Sequence, residues 1–181
     1  MIMMKNILFI SAFCVFAAGI CQAKEPGTKA IIKCSAVNRA IALQKDTIPP
    51  ADVMQVITTA IYSTNDFNIE KVAELYTPNA TITDDEPPYS WNGPTAGVQW
   101  VNAVEKVCKD NDLTKLKGSI GAINVFLQTA DNVYIIVPVT YTGNLTGRSH
   151  FTAEGAFIFV LRMINGRWLI KNQAWIPKKG M

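Results

Sequence analysis

Residues 65–84 read NDFNIEKVAELYTPNATITD, and a change of hydrophobic period inside this stretch decides the fold class. In its first half, Ile69, Val72, Ala73 and Tyr76 recur three and four residues apart. That spacing marks one face of a helix from Ile69 to Tyr76. Ser63 to Asp66 reads as a turn before it, and Asp66 or Asn68 can cap the helix through a side-chain oxygen. From Asn79 to Thr83 the period drops to two, with Ala80 and Ile82 between polar neighbours, which predicts a short strand. Asp84-Asp85-Glu86-Pro87-Pro88 then ends the strand in an acidic, proline-stiffened loop.

The flanking sequence extends the same switch from helix to strand. Upstream, Val53, Val56, Ile57, Ala60 and Ile61 predict a helix from Ala51 to Ser63. Ile32, Ala36, Val37, Ala40 and Leu43 predict another from Ala30 to Lys45, broken before Ala51 by Pro49-Pro50. Downstream, Thr95 can cap a third long helix, with Val98, Val101, Val104 and Cys108 on one face.

Beyond that helix the reading is β. One strand is expected from Gly118 to Thr129 and another from Val133 to Tyr141, where Pro138 implies a bulge or an edge. A long strand is expected over Arg148 to Ile164, with Gly155 as a bulge or bend. Asn165-Gly166 signals a hairpin into Arg167 to Ile176. Helices followed by a meander describe an α+β domain, with N-terminal helices packed on a strongly curved antiparallel sheet and a cavity at its open end.

The N-terminus reads as an address. Residues 1–23, MIMMKNILFISAFCVFAAGICQA, place Lys5 before an apolar run from Ile7 to Ile20. The run suits a signal peptide and is short for a membrane span. Cleavage after Ala23 implies an exported, periplasmic or secreted chain with no membrane attachment. A lipidated Cys21 and an uncleaved anchor are the rival readings. The expected organisation is then a leader and extra helix over 24–49, one domain over 50–177, and a basic tail over 178–181.

Export leaves Cys34 and Cys108 as the cysteines of the mature chain. A disulfide between them and two buried thiols are both open readings.

Composition narrows the function. The 181 residues carry 17 basic and 14 acidic side chains, so a net charge of +3 offers no electrostatic footprint for nucleic acid. A single histidine is too few for a three-His zinc site or a two-His iron triad. No glycine-rich phosphate loop and no Gly-x-Ser-x-Gly elbow occurs. No metal and no cofactor is expected.

From Val53 to Trp175 the order of elements resembles the NTF2-like superfamily, which includes SnoaL-like proteins and ketosteroid isomerase. Asn65-Asp66-Phe67-Asn68, then Leu75-Tyr76-Thr77-Pro78-Asn79-Ala80 leading into a strand, carry the resemblance, with Gly93 and the closing Asn165-Gly166-Arg167-Trp168 hairpin. The resemblance implies a conical α+β fold. It also places Asp84 where ketosteroid isomerase carries its general base. The isomerase's tyrosine falls near Thr58, one helical turn from Tyr62, and its second acid near Phe159, so one catalytic role of three is matched. Glu154 is the nearest acid upstream of Phe159.

Tyr62, Tyr76, Trp91, Trp100, His150, Glu154 and Trp175 are the candidate pocket-lining residues. The favoured reading is a non-catalytic binder of a small hydrophobic ligand or a protein partner. The alternatives are an isomerase or lyase using Asp84 as base on a hydrophobic carbonyl compound, and a homodimeric assembly domain joined through its sheet face.

Overall fold

The structure, a computed structural model, describes residues 48–180. Three helices, α1 (Ala51–Asp66), α2 (Ile69–Val72) and α3 (Ala96–Asp110), alternate at first with two strands, β1 (Tyr76–Thr83) and β2 (Ser90–Asn92). Five more strands follow: β3 (Leu113–Ile120), β4 (Val125–Gln128), β5 (Asn132–Leu145), β6 (Arg148–Ile164) and β7 (Arg167–Pro177). A single 3-10 turn over Lys178–Gly180 closes the described chain. The strands form one curved sheet in the order β2-β1-β7-β6-β5-β3, with β4 also on β5. All pairings are antiparallel except β1 on β7, so the expected antiparallel sheet is mixed. The expected α+β architecture, helices on one face of the sheet, is what the chain adopts.

Helix α1 buries Val53, Ile57, Ala60 and Ile61 completely, the stripe that its spacing announced. Burying aliphatic side chains of this kind is worth roughly 1.5–3 kcal/mol each for the larger ones. The helix runs through the expected Ser63–Asp66 turn. Ser63 and Thr64 are helical and buried, and their hydroxyls donate to the carbonyls of Ala60 and Ile61, both at 2.7 Å, which satisfies two buried polar groups. Phe67 then ends α1 in a left-handed conformation, its N–H bonded to Ser63 O. Asn68, rather than Asp66, caps α2 by accepting from Lys71 N at 3.1 Å.

The expected helix to Tyr76 stops after one turn, at Val72. Tyr76 instead opens β1, and its hydroxyl donates to Gln173 Oε1 on β7 at 2.7 Å. Its ring fills the space beside Gly97 of α3, where an added Cβ would come within 2.1 Å of the ring. Tertiary packing therefore overrides a local helical pattern of only two turns. Thr95 precedes α3 as expected, but its hydroxyl accepts from Gln99 Nε2 at 2.8 Å and makes no backbone cap.

In the sheet, β6 spans Arg148–Ile164 as its sequence indicates, and the Asn165-Gly166 turn has positive φ at both residues, 51° and 75°. The expected Gly118–Thr129 strand is two strands with a break between them. Pro138 explains the break. Its carbonyl accepts from Gly121 N at 2.8 Å, so its ring nitrogen also faces the interruption between β3 and β4. The missing N–H thus costs no ladder bond to β6, and β5 needs no bulge there. Gly155 is likewise no bulge. Its missing Cβ leaves room for Trp175, whose ring would lie 2.6 Å from that atom, while the register shift of β6 comes later, at Val160/Leu161.

Candidate active site

At the open end of the sheet lies a cavity of about 880 Å³. Its walls are mainly aromatic and aliphatic: Trp91 of β2, Trp100 and Val104 of α3, Tyr141 of β5, Phe157 of β6 and Trp175 of β7. The aromatic wall is interlocked. Phe157 meets Trp100 edge-on at 5.7 Å and Trp175 at 4.8 Å between ring centroids. The exposed side chains of Asp85, Glu86, Lys178 and Lys179 also line the cavity and mark its mouth.

Asp84 is the polar centre of this wall. It sits just past the end of β1, where the acidic loop begins. Its backbone N–H bonds to Tyr89 O at 3.1 Å and Tyr89 N–H to Glu86 O at 2.9 Å, which folds the loop back on itself. The carboxylate is half-buried. Oδ2 accepts from Trp100 Nε1 at 2.7 Å and Oδ1 accepts from Asp85 N at 2.8 Å. Desolvation by burial pushes its carboxyl up to about 6; the Trp100 bond opposes this, and the neighbouring Asp85 side chain adds to it. Asp84 therefore changes charge near neutral pH, which an ordinary aspartate does not.

Tyr141 shares the cavity with Asp84. Burial holds its phenol well above the usual tyrosine range; the contact with Thr64 opposes this, and the charge of Asp84 adds to it. Opposite the acidic loop, Glu154 forms an ion pair with Lys178 at the mouth. Cys108 lies on the α3 side of the wall, its thiol pushed up first by burial and then by Glu105.

The structure brings together Asp84, Trp91, Trp100, Glu154 and Trp175 of the residues singled out from sequence, and Cys108 with them. Tyr62, Tyr76 and His150 lie off the cavity wall. Tyr62 is next in sequence to the fully buried Ile61, and the 100° step between neighbours in a helix turns it outward, 41% exposed. Tyr76 is buried beneath α3 and spends its hydroxyl on Gln173. His150 is an exposed residue of β6. Cys34 lies outside the described residues, as do the leader and the helix expected over 30–45.

Sequence reasoning missed Tyr141, Phe157, Lys178 and Lys179 as wall residues. The signal for Tyr141 was present. Val133, Ile135, Val137 and Val139 alternate inward on β5, and Tyr141 continues that parity. No group of three or more His, Cys, Asp or Glu able to hold a metal ion occurs among the described residues.

No family model and no curated protein matches the chain. Solved structures do. The hexachlorocyclohexane dehydrochlorinase LinA superposes with a TM-score of 0.61 at 16% identity, covering 71% of this chain and 84% of LinA. The type 3 LinA from Novosphingobium barchaimii gives 0.58 at 15% identity, covering 72% and 90%. A ketosteroid isomerase-like protein from Erwinia carotovora atroseptica gives 0.55 at 15% identity, covering 71% and 95%. At such identities the likeness is one of fold, and the fold is the NTF2-like cone. That fold is shared by enzymes and by proteins of unknown function.

Proposed function

We propose that this domain binds a small hydrophobic ligand in the cavity between α3 and the curved sheet. One observation carries the reading: a cavity of about 880 Å³, lined mainly by aromatic and aliphatic side chains, with few polar groups turned toward it. Pockets of roughly 300–1,000 Å³ with this lining bury most of a drug-sized molecule. Titration with the neutral fluorescent probe N-phenyl-1-naphthylamine tests it. Saturable binding at one probe per chain is expected, and Ala103→Phe, which puts a ring into the wall, should abolish it. Binding that does not saturate, or that Ala103→Phe leaves intact, refutes the cavity as the site.

A second reading rests on Asp84. A carboxylate raised to about 6, held by Trp100 and open to an apolar cavity, has the properties of a general base for proton transfer from carbon. An isomerase or lyase acting on a hydrophobic carbonyl compound would use it so. Its test is exchange of the proton next to the carbonyl of 2-acetylnaphthalene in deuterated buffer, followed by NMR. Exchange faster than buffer alone, lost in Asp84→Asn, is the expected result. Exchange that survives the substitution removes Asp84 from the role.

The outer face of the sheet supports a homodimer. Tyr134 and Ile136 of β5 and Ile158 and Val160 of β6 point away from the core and form an apolar patch that no described element covers. Light scattering tests it; a monomer at micromolar concentration refutes it. The leader at residues 1–23 supports export, and an N-terminal sequence of the protein recovered outside the cytoplasm checks the cleavage site.

A further inference from the structure

Tyr141 is a donor without a close acceptor. Its hydroxyl lies 3.4 Å from Thr64 Oγ1, beyond the 2.5–3.0 Å of a normal O–H···O bond. Thr64 carries a single hydroxyl proton, and the carbonyl of Ile61 takes it at 2.7 Å. Within that pair the phenol proton of Tyr141, which lines the cavity, can only point to Thr64 Oγ1 across this long contact, and a ligand acceptor at normal distance would replace it.

The ring is fixed where it stands. It packs edge-on against Phe157 at 6.5 Å and against Trp175 at 5.9 Å between centroids. It also lies over Gly118, its direct partner on β3, where an added Cβ would come 2.9 Å from the ring. A donor held by three neighbours loses little freedom when it bonds a ligand. Asp84 is close by, and at the mouth Lys178 is paired with Glu154 while Lys179 stands against both Asp85 and Glu86, so the acids outnumber the lysines and the surrounding charge favours a neutral acceptor over a carboxylate.

We infer that Tyr141 donates a hydrogen bond to a neutral oxygen of the ligand, so that the cavity selects hydrophobic carbonyl compounds over hydrocarbons of the same shape. The inference rests on the ligand-binding reading of the cavity and adds to it the residue that sets the ligand class.

The test compares 2-acetylnaphthalene with 2-ethylnaphthalene, a ketone and a hydrocarbon of nearly equal shape. Dissociation constants for both are measured with the wild-type chain and with Tyr141→Phe. The substitution should weaken the ketone about fivefold, as loss of one neutral hydrogen bond does, and leave the hydrocarbon unchanged. An unchanged ketone, or equal weakening of both probes, overturns the assignment of Tyr141 while the cavity stands. Binding of neither probe to the wild-type chain overturns the cavity reading together with it. The infrared carbonyl stretch of the bound ketone gives a second readout. It should move to higher frequency in Tyr141→Phe, and an identical stretch in both chains would count against the bond.

Discussion

Replacing Asp84 with asparagine should stabilise the domain at pH 7.5 and not at pH 4. A carboxyl raised from 3.8 to about 6 binds its proton more tightly in the folded chain than in the unfolded one. Stability is then greatest below about 3.8 and falls as pH rises through about 6, by a total of about 3 kcal/mol. Asparagine keeps the neutral form at every pH and escapes this loss. It can still accept from Trp100 through its carbonyl oxygen, but its amide nitrogen cannot accept from Asp85 N–H, which costs about 1 kcal/mol. The balance is a gain of about 2 kcal/mol at pH 7.5 and a loss of about 0.5 kcal/mol at pH 4, where the unfolded carboxyl is already partly ionised. Urea unfolding followed by tryptophan fluorescence at the two pH values measures both numbers. The same difference between variant and wild type at pH 4 and pH 7.5 would refute the reasoning, since it would mean that Asp84 has no raised proton affinity in the folded chain.

Trp100→Phe removes the donor that lowers the Asp84 carboxyl, so the pH midpoint of Asp84, read by carboxyl-carbon NMR, should rise above about 6; a midpoint that stays or falls contradicts the bond. Gly97→Ala should destabilise by more than about 2 kcal/mol in urea unfolding, although glycine-to-alanine in an exposed helix gains about 1 kcal/mol, because the new methyl meets the Tyr76 ring at 2.1 Å. Asn68→Ala should cost about 1 kcal/mol by the same assay, with Asn68→Asp close to wild type, since only the bond to Lys71 N–H is at stake.

Much of the fold was legible because long elements carry redundant signals. The sixteen residues of α1 and the seventeen of β6 repeat their period often enough to fix both type and face. Short elements do not. Around Tyr76 a helical pattern of two turns competes with a tyrosine that fits only against Gly97 and Gln173, contacts separated from it by 21 and 97 positions in the chain. Pro138 was readable as an interruption, but only the placement of Gly121 shows that the interruption falls on the neighbouring strands. The site divides in the same way. Asp84 was singled out by the resemblance to ketosteroid isomerase and not by a local pattern, since an acid at a strand end reads equally well as a solvated loop residue. Its bond to Trp100 joins a loop to a helix sixteen residues on, and no local pattern encodes that distance. Tyr141 was hidden in plain alternation, since a tyrosine on the inward parity of a strand reads as core until a cavity is seen beside it.

The break between β3 and β4 has a consequence for how copies of this chain meet in concentrated solution. Both strands lie on the same side of β5, at the outer margin of the sheet. A continuous margin there would present a long row of free peptide groups to any passing extended chain. Instead the row is cut at Gly121–Asn124, and β3 itself loses register between Thr114 and Lys117, where Lys115 adopts a φ of 54°. Lys115 and Lys117 place two positive charges along the same border. At the opposite margin β2 offers only three residues. The proline that divides one strand into two thus also shortens the row of free peptide groups that edge-to-edge pairing needs.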